Sequence, residues 1–209
     1  MASGVGATAP TIAYMGLNGF NFATSSHTIT GLSFGDEAPT RLLVAVIHAQ
    51  ASGARTPTAV SIGGVTATLV PGTSVSAAAN ISIWYAEVPT GTSGSVSVTY
   101  SGTILLCLVG LYRMTDLLSN VPLDGANGLF TNLGTMTLDS AAGGFVVCGL
   151  TNSSDNAVTF SGAVENYDAD HYGTGYRKAG AHGADIVLDS RTLGASSTGS
   201  FRFSAATWR

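Results

Sequence analysis

Apolar and polar residues alternate along much of this chain with the period of two that a β-strand requires. The run from Val96 to Tyr100 alternates strictly, which predicts one buried face and one solvated face. The final run places Phe201 and Phe203 on one side and Arg202 on the other. Most of the chain therefore reads as strands.

Gly, Pro, Ser, Thr and Asn separate these runs at a spacing typical of a β-sandwich. Helical periodicity is confined to residues 114–119, which a turn explains equally well. Gly63 and Gly64 stand between two β-branched runs and predict a two-residue hairpin, because glycine accepts a positive φ. Strands are predicted near residues 11–15, 21–30, 41–49, 58–63, 65–70, 80–88, 94–100, 104–112, 134–138, 144–151, 157–160, 163–168, 173–178, 184–189 and 199–208.

Three segments of the first half are echoed in the second half, in the same order and roughly 100 residues later. TRLLVAVIHA resembles GGFVVCGLTN, AVSIGGVTATLV resembles AVTFSGAVENYD, and TSGSVSV resembles STGSFRF. We interpret residues 40–101 and 143–204 as two copies of a four-strand unit. Because no linker divides them, we expect one all-β domain over residues 1–209, a jelly-roll-like antiparallel β-sandwich closed by two Greek keys. Two separate domains of about 100 residues are the alternative.

The composition favours a folded protein with a weakly charged surface. Hydrophobic residues make up 45% of the chain and charged residues 10%, against roughly 25% charged in an ordinary soluble domain. Such a chain can bury a core, and its surface must be built mainly from Ser, Thr, Gly and Asn. Few charges leave sheet edges and apolar patches open to association. This composition indicates surfaces that other subunits cover.

Charge and hydropathy also limit the classes of partner that the protein is expected to bind. The net charge is −4, and the eight basic residues, with Lys178 the single lysine, form no basic run, so we expect no nucleic-acid binding. The longest apolar stretch, Ile104 to Tyr112, is too short to cross a bilayer, so we expect no membrane association. The N-terminal MASGVGATAPTIAYMG lacks the basic and apolar regions of a signal peptide, and we expect synthesis in the host cytoplasm.

The sequence predicts neither a metal nor a cofactor. Cys107 and Cys148 lie in apolar runs where buried free thiols are expected, and a disulfide between two strands stays open. No CxxC and no histidine pair at zinc spacing is present. Asp168 and Asp170 could offer oxygen ligands to Ca²⁺, but this pattern often arises by chance.

No catalytic motif stands out. GxSxG and the glycine-rich phosphate-binding patterns are absent, and twelve acidic residues give many carboxylate pairs without singling one out. His48 continues an apolar run and is predicted to be a hydrogen-bonded core histidine, and Trp84 and Trp208 are predicted to lie in the core. We therefore expect that the protein is not an enzyme.

Polar and aromatic side chains concentrate in one segment, ENYDADHYGTGYRKAGAH, residues 165–182. As a binding loop it would offer exposed Tyr and His faces to a sugar or a protein partner, and Asp and Arg for directional hydrogen bonds. The alternative is a long solvated hairpin that carries the charge missing elsewhere. The candidate partner- or glycan-binding residues are Tyr167, Asp170, His171, Tyr172, Tyr176 and Arg177.

Several segments resemble a pattern found in β-sandwich structural proteins of tailed bacteriophages and prophages. They are RLLVAVIHAQ, AVSIGGVTATLV, ISIWYAEVPTGTSGSVSVTYSG and LCLVGLYRMTDL, with the ending SFRFSAATWR. The resemblance covers residues 40–118 well and the remainder loosely. It implies a β-sandwich component of a virion, of head decoration, spike or tail-fibre type, and it carries over no catalytic or ligand residues.

We therefore expect a non-catalytic structural protein of a phage particle, located in the virion. It would assemble as a homo-oligomer and contact other virion proteins, with a host-surface glycan as a further partner. The alternative is a carbohydrate-binding β-sandwich module, which an exposed row of aromatic residues would favour. An enzyme such as a depolymerase or esterase would need a cleft with a carboxylate pair or a Ser–His pair.

Overall fold

The computed structural model of the protein describes residues 9–170, 175, 177–184 and 189–209. The described chain consists of antiparallel strands and contains no helix, so the predicted all-β sandwich is confirmed. The strands are β1 (Thr11–Phe20), β2 (Thr24–Ser33), β3 (Leu42–Arg55), β4 (Pro57–Ile62), β5 (Val65–Thr66), β6 (Thr68–Leu69), β7 (Ala77–Glu87), β8 (Ser93–Ile104), β9 (Leu106–Thr115), β10 (Asp124–Ser140), β11 (Phe145–Asn152), β12 (Thr159–Ser161), β13 (Val164–Asp170), β14 (Arg177–Ala184) and β15 (Asp189–Trp208).

The first half of the chain forms two packed sheets. One has the strand order β1-β9-β3-β7-β6 and the other β2-β8-β4-β5. The alternation predicted for β8 is confirmed, because Val96, Val98 and Tyr100 are all buried between these sheets. Gly63 and Gly64 have φ values of 60° and 82° in the predicted hairpin between β4 and β5.

The second half repeats this arrangement with two long, bent strands. Residues 124–131 of β10 pair with residues 200–207 of β15, and residues 132–140 pair with residues 189–197. Where the two stretches meet, Asn132 and Gly199 have φ values of 64° and 87°. The bend folds the outer part of each strand back over the sheet.

Each half has the same strand order. The sheet that contains β11 has the order residues 124–131, residues 200–208, β11, β14 and β13. This order matches β1-β9-β3-β7-β6 of the first half. Residues 132–140, 189–197 and β12 likewise match β2, β8 and β4. Consecutive segments thus alternate between two sheets in the manner of a jelly roll in each half, except at the hairpins β4–β5, β6–β7 and β13–β14, whose two strands share a sheet. The repeated unit has eight strand segments rather than four, because the similarity in sequence does not extend to β1, β2 and β10.

Two of the three echoed sequence pairs occupy equivalent positions. β3 corresponds to β11 and β4 to β12, and each pair has the same neighbouring strands. The third pair is not equivalent: TSGSVSV leads into β8, whereas STGSFRF crosses the bend of β15 and enters the position of β9.

The sheet containing β3 packs face to face on the sheet containing β11. A Cβ added at Gly149 would lie 2.5 Å from Val46 Cγ1, and His48 contacts Thr151, so β3 and β11 run side by side in the same direction. The two halves are therefore related by an approximate two-fold rotation about a line parallel to these strands.

The corner end is the end of the molecule where β3 and β11 finish. There β1 turns into β2, since Phe20 pairs with Cys107 and Cys107 pairs with Ala49 of β3. β10 and β15 also bend at this end, beside Asn152. Both halves consequently expose their corners on one surface.

Candidate functional site

The described strands of the predicted binding segment are β13 and β14 at the corner end, where Asp170 and Arg177 form the outermost strand pair. Asp170 Oδ2 accepts a hydrogen bond from the N–H of Gly175 at 3.1 Å. His171, Tyr172 and Tyr176 lie outside the described residues, so their role stays a prediction.

Arg177 is tied to carboxylates of its own chain. Its Nε lies 3.0 Å from Asp155 Oδ1 and 3.4 Å from Asp168 Oδ1. Asp168 Oδ2 also accepts the N–H of Val158 at 2.9 Å. These contacts fasten the β11–β12 connection to the hairpin, which gives Arg177 and Asp168 a structural role in this arrangement.

Tyr167 does not present an exposed face, and the expectation of a surface tyrosine at this position is wrong. The residue is 8% exposed and belongs to the core between the two facing sheets. Its ring stacks on Tyr14, with centroids 5.6 Å apart. It fits because Gly110 and Gly180 lack the Cβ atoms that would occupy the same space. A strand pattern shows which residues share a face, but not that a second sheet covers it.

His48 is a hydrogen-bonded core histidine, as predicted. Its Nδ1 lies 2.8 Å from Thr151 Oγ1 and its Nε2 lies 2.8 Å from Tyr167 Oη. Burial, with a smaller contribution from the charge of Lys178, lowers the pKa of His48 to about 3. The neutral ring therefore donates through one nitrogen and accepts through the other. This buried cluster joins the two halves across their interface.

Lys178, the single lysine, lies beside this cluster. It pairs with Thr151 in the backbone register and is fully buried. Burial lowers its pKa to about 7, and Asp170 opposes that shift. The interface between the halves thus contains ionisable groups whose charged states are costly there.

The cysteines and tryptophans agree with their predicted core positions. Cys107 and Cys148 are free thiols in separate cores, and burial raises the pKa of each to about 12. Trp84 and Trp208 are both buried. Within the described ranges, no group of three or more His, Cys, Asp or Glu side chains is placed to hold a metal ion.

A groove of about 330 Å³ opens at the corner end, between the two halves. Arg202 lies in this groove together with residues from β3, β7, β10 and the segments around β11 and β15. The lining residues are Gln50, Ala51, Ala78, Ala79, Leu129, Ser153, Ser200 and Arg202. Sequence reasoning placed Arg202 opposite the buried Phe201 and Phe203, but only the packing of the two halves turns that side into a groove.

Exposed apolar side chains lie next to this groove. Phe22 is 53% exposed and Leu105 is 44% exposed, at the two strand connections of the corner in the first half. The N–H of Leu105 donates to the carbonyl of Gln50 at 2.7 Å, and Gln50 lines the groove together with Leu129. Phe22, Leu105 and Leu129 are therefore three exposed apolar side chains at one end of the molecule.

Comparison with known protein families and with curated proteins finds no match for this sequence. In the part of the chain that the structure describes, no helix has the length and apolar character needed to span a lipid bilayer.

Proposed function

We propose that this chain is a non-catalytic structural protein of a phage particle, of head decoration, spike or tail attachment type, that assembles as a homo-oligomer. The observation that carries the proposal is the pair Phe22 and Leu105, two large apolar side chains exposed at the same corner of a chain with only 10% charged residues. A second copy of the chain would bury them, since little charge is present to oppose association.

The architecture supports the same proposal. Jelly rolls are common in viral capsid proteins, and two of them here pack against each other through facing sheets with a shared core. This support is an analogy of fold, which does not by itself determine function. The resemblance of residues 40–118 to phage structural proteins agrees with it.

Light scattering over a wide concentration range tests the assembly. We expect wild-type protein to form one discrete oligomer, and Phe22→Ser with Leu105→Ser to shift it to monomer without loss of fold. Leu118→Ser is the matched control, because Leu118 is 83% exposed on the connection between the halves, away from this pair.

A wild-type protein that stays monomeric at every concentration would contradict the proposal. So would an oligomer that the double variant leaves intact while Leu118→Ser dissociates it. Negative-stain images of the oligomer should show closed cyclic particles, since subunits with one self-associating surface close into rings or pairs.

A further inference from the structure

Among the residues that the structure describes, no hydrogen bond or ion pair engages the side chain of Arg202. Its Nε is buried and has no hydrogen-bond partner, and neither ion pair of the described residues involves it. An unpaired guanidinium nitrogen in a partly buried site is costly, so native structures normally provide an acceptor. Arg202 is one of the residues that line the groove at the corner end.

A second basic residue lies beside Arg202. Arg202 and Lys178 flank Thr151 from its two sides in the backbone register, so all three side chains point to the same face of the sheet. Burial lowers the pKa of Arg202, and no carboxylate opposes that shift. The nearby Asp155 and Asp168 are already engaged by Arg177. No carboxylate is among the described residues that line the groove beside Arg202.

The other lining residues suit a sugar, because they offer polar groups for its hydroxyls and an apolar surface for the face of its ring. Gln50, Ser153 and Ser200 supply amide and hydroxyl groups that both donate and accept hydrogen bonds. Ala51, Ala79 and Leu129 supply an apolar wall. A cavity of about 330 Å³ lies at the small end of the range for ligand sites, roughly 300–1,000 Å³.

A second groove of the molecule offers a contrast. It has a volume of about 490 Å³ and is lined by Asn132, Ala157, Thr159, Ser196, Ser197 and Thr198. It is larger, but none of the described residues that line it is ionisable, so none of them selects a charged ligand. The unpaired cation distinguishes the groove of Arg202.

We propose that the groove at the corner end binds a small carboxylate-bearing sugar, with Arg202 holding the carboxylate. The guanidinium forms paired hydrogen bonds with the two carboxylate oxygens, while Gln50, Ser153 and Ser200 contact the ring hydroxyls. The ligand site and the proposed assembly are tested through different residues, because Arg202 carries the first proposal and Phe22 and Leu105 carry the second.

Calorimetric titration of the full chain with sodium glucuronate tests the site, with glucose as the uncharged analogue. We expect measurable binding of glucuronate and at least about tenfold weaker binding of glucose, since a hydrogen bond to a charged group is lost. Arg202→Gln should weaken glucuronate binding by about tenfold or more. Arg113→Gln is the control, because it also removes one positive charge. Arg113 lies near the end of β9 that is far from the corner end, so glucuronate binding should be unchanged.

Leu129→Trp provides a second variant whose folding is not in question, because Leu129 is 65% exposed. The indole should fill the groove and abolish glucuronate binding. The proposal would be overturned if wild-type protein did not bind glucuronate. It would also be overturned if Arg202→Gln and Leu129→Trp both bound glucuronate as tightly as wild type. Acetate binding as tightly as glucuronate would overturn the assignment to a sugar, since the hydroxyl contacts would then contribute nothing.

Discussion

His48, Thr151 and Tyr167 form a buried, hydrogen-bonded cluster between the two halves. Each hydrogen bond in this cluster joins the first half to the second, and all three residues are buried. A buried polar group that loses its partner costs more than the bond contributed, because water cannot replace the partner. The cluster therefore fixes how the halves align as well as adding stability.

Stability should fall in acid because of His48. Its pKa is about 3 in the folded protein against 6.5 when unperturbed, so the unfolded chain binds a proton first as the pH falls. The contribution is complete above pH 6.5 and is lost between pH 6.5 and about 3, at up to roughly 1.4 kcal/mol per pH unit. Urea unfolding at several pH values measures this slope.

The variant His48→Gln should flatten that slope and lower the free energy of unfolding at neutral pH by about 1–3 kcal/mol, because its amide cannot restore both hydrogen bonds. His27→Gln, at a partly exposed histidine, should keep the slope. A slope that persists in His48→Gln would place the acid sensitivity on another group.

The two thiols should be inert in the native state. Cys107 and Cys148 are buried with pKa values raised to about 12, so neither the access nor the thiolate that a reagent needs is present. DTNB should react with no thiol in native protein and with both after denaturation in urea. Fast reaction of either cysteine before unfolding would show that its core opens locally.

The bend shared by β10 and β15 is the element that lets two strands serve both sheets of the second half. Asn132 takes a left-handed conformation, and its Oδ1 accepts the N–H of Gly199 at 2.9 Å. In the first half, β1 and β2 are separate strands, as are β8 and β9. The same corner is thus made once by interrupting the strands and once by bending them.

Gly199→Ala should destabilise the protein through backbone conformation alone. The added Cβ would have ordinary space, since its nearest atom, Ser154 Oγ, lies 3.9 Å away, but φ is 87°. We expect a loss of about 1–2 kcal/mol in the free energy of unfolding. Gly53→Ala is the control, because its Cβ meets nothing within 4 Å and its φ is not in the left-handed region. Equal stability of both variants would mean that the bend relaxes without cost.

Strands with continuous apolar runs were predictable from the sequence. Strands whose sequence has no apolar pattern, and which are held by pairing with a neighbouring strand, were not. β3, β9 and β11 coincide with β-branched and leucine-rich runs that indicate burial on both faces. The stretch 124–131 of β10 was missed, because DGANGLFT has no alternation and is held by its pairing with β15. His48 was identified correctly since it continues such a run, whereas the burial of Tyr167 depends on a sheet from the other half.

At the scale of the whole molecule, the facing sheets couple the two halves. Their shared core includes Val46 and Ile83 from the first half and Val147 and Trp208 from the second, all fully buried. Removing one half would expose this apolar surface of the other. The halves should therefore unfold together.

Two single-tryptophan variants test this coupling, since Trp84 lies in the core of the first half and Trp208 in the shared core. Trp84→Phe and Trp208→Phe should each show one urea transition, with fluorescence and circular dichroism coinciding. Adding Gly149→Ala, whose Cβ would lie 2.5 Å from Val46 Cγ1, should lower the stability of both by about 1–3 kcal/mol. Separate transitions for the two probes would show halves that fold independently.

The near two-fold relation between the halves has a consequence at its axis. Val46 meets Gly149 and His48 meets Thr151, and the echoed segments align these same positions with one another. A homodimer of either half would place identical residues there, two valines in conflict or two glycines leaving a void. Joined in one chain, the two sides are free to diverge, so a side chain on one side fits a space on the other. The covalent link thus allows Val46 to pack into the space left by Gly149, a contact that two identical halves could not form.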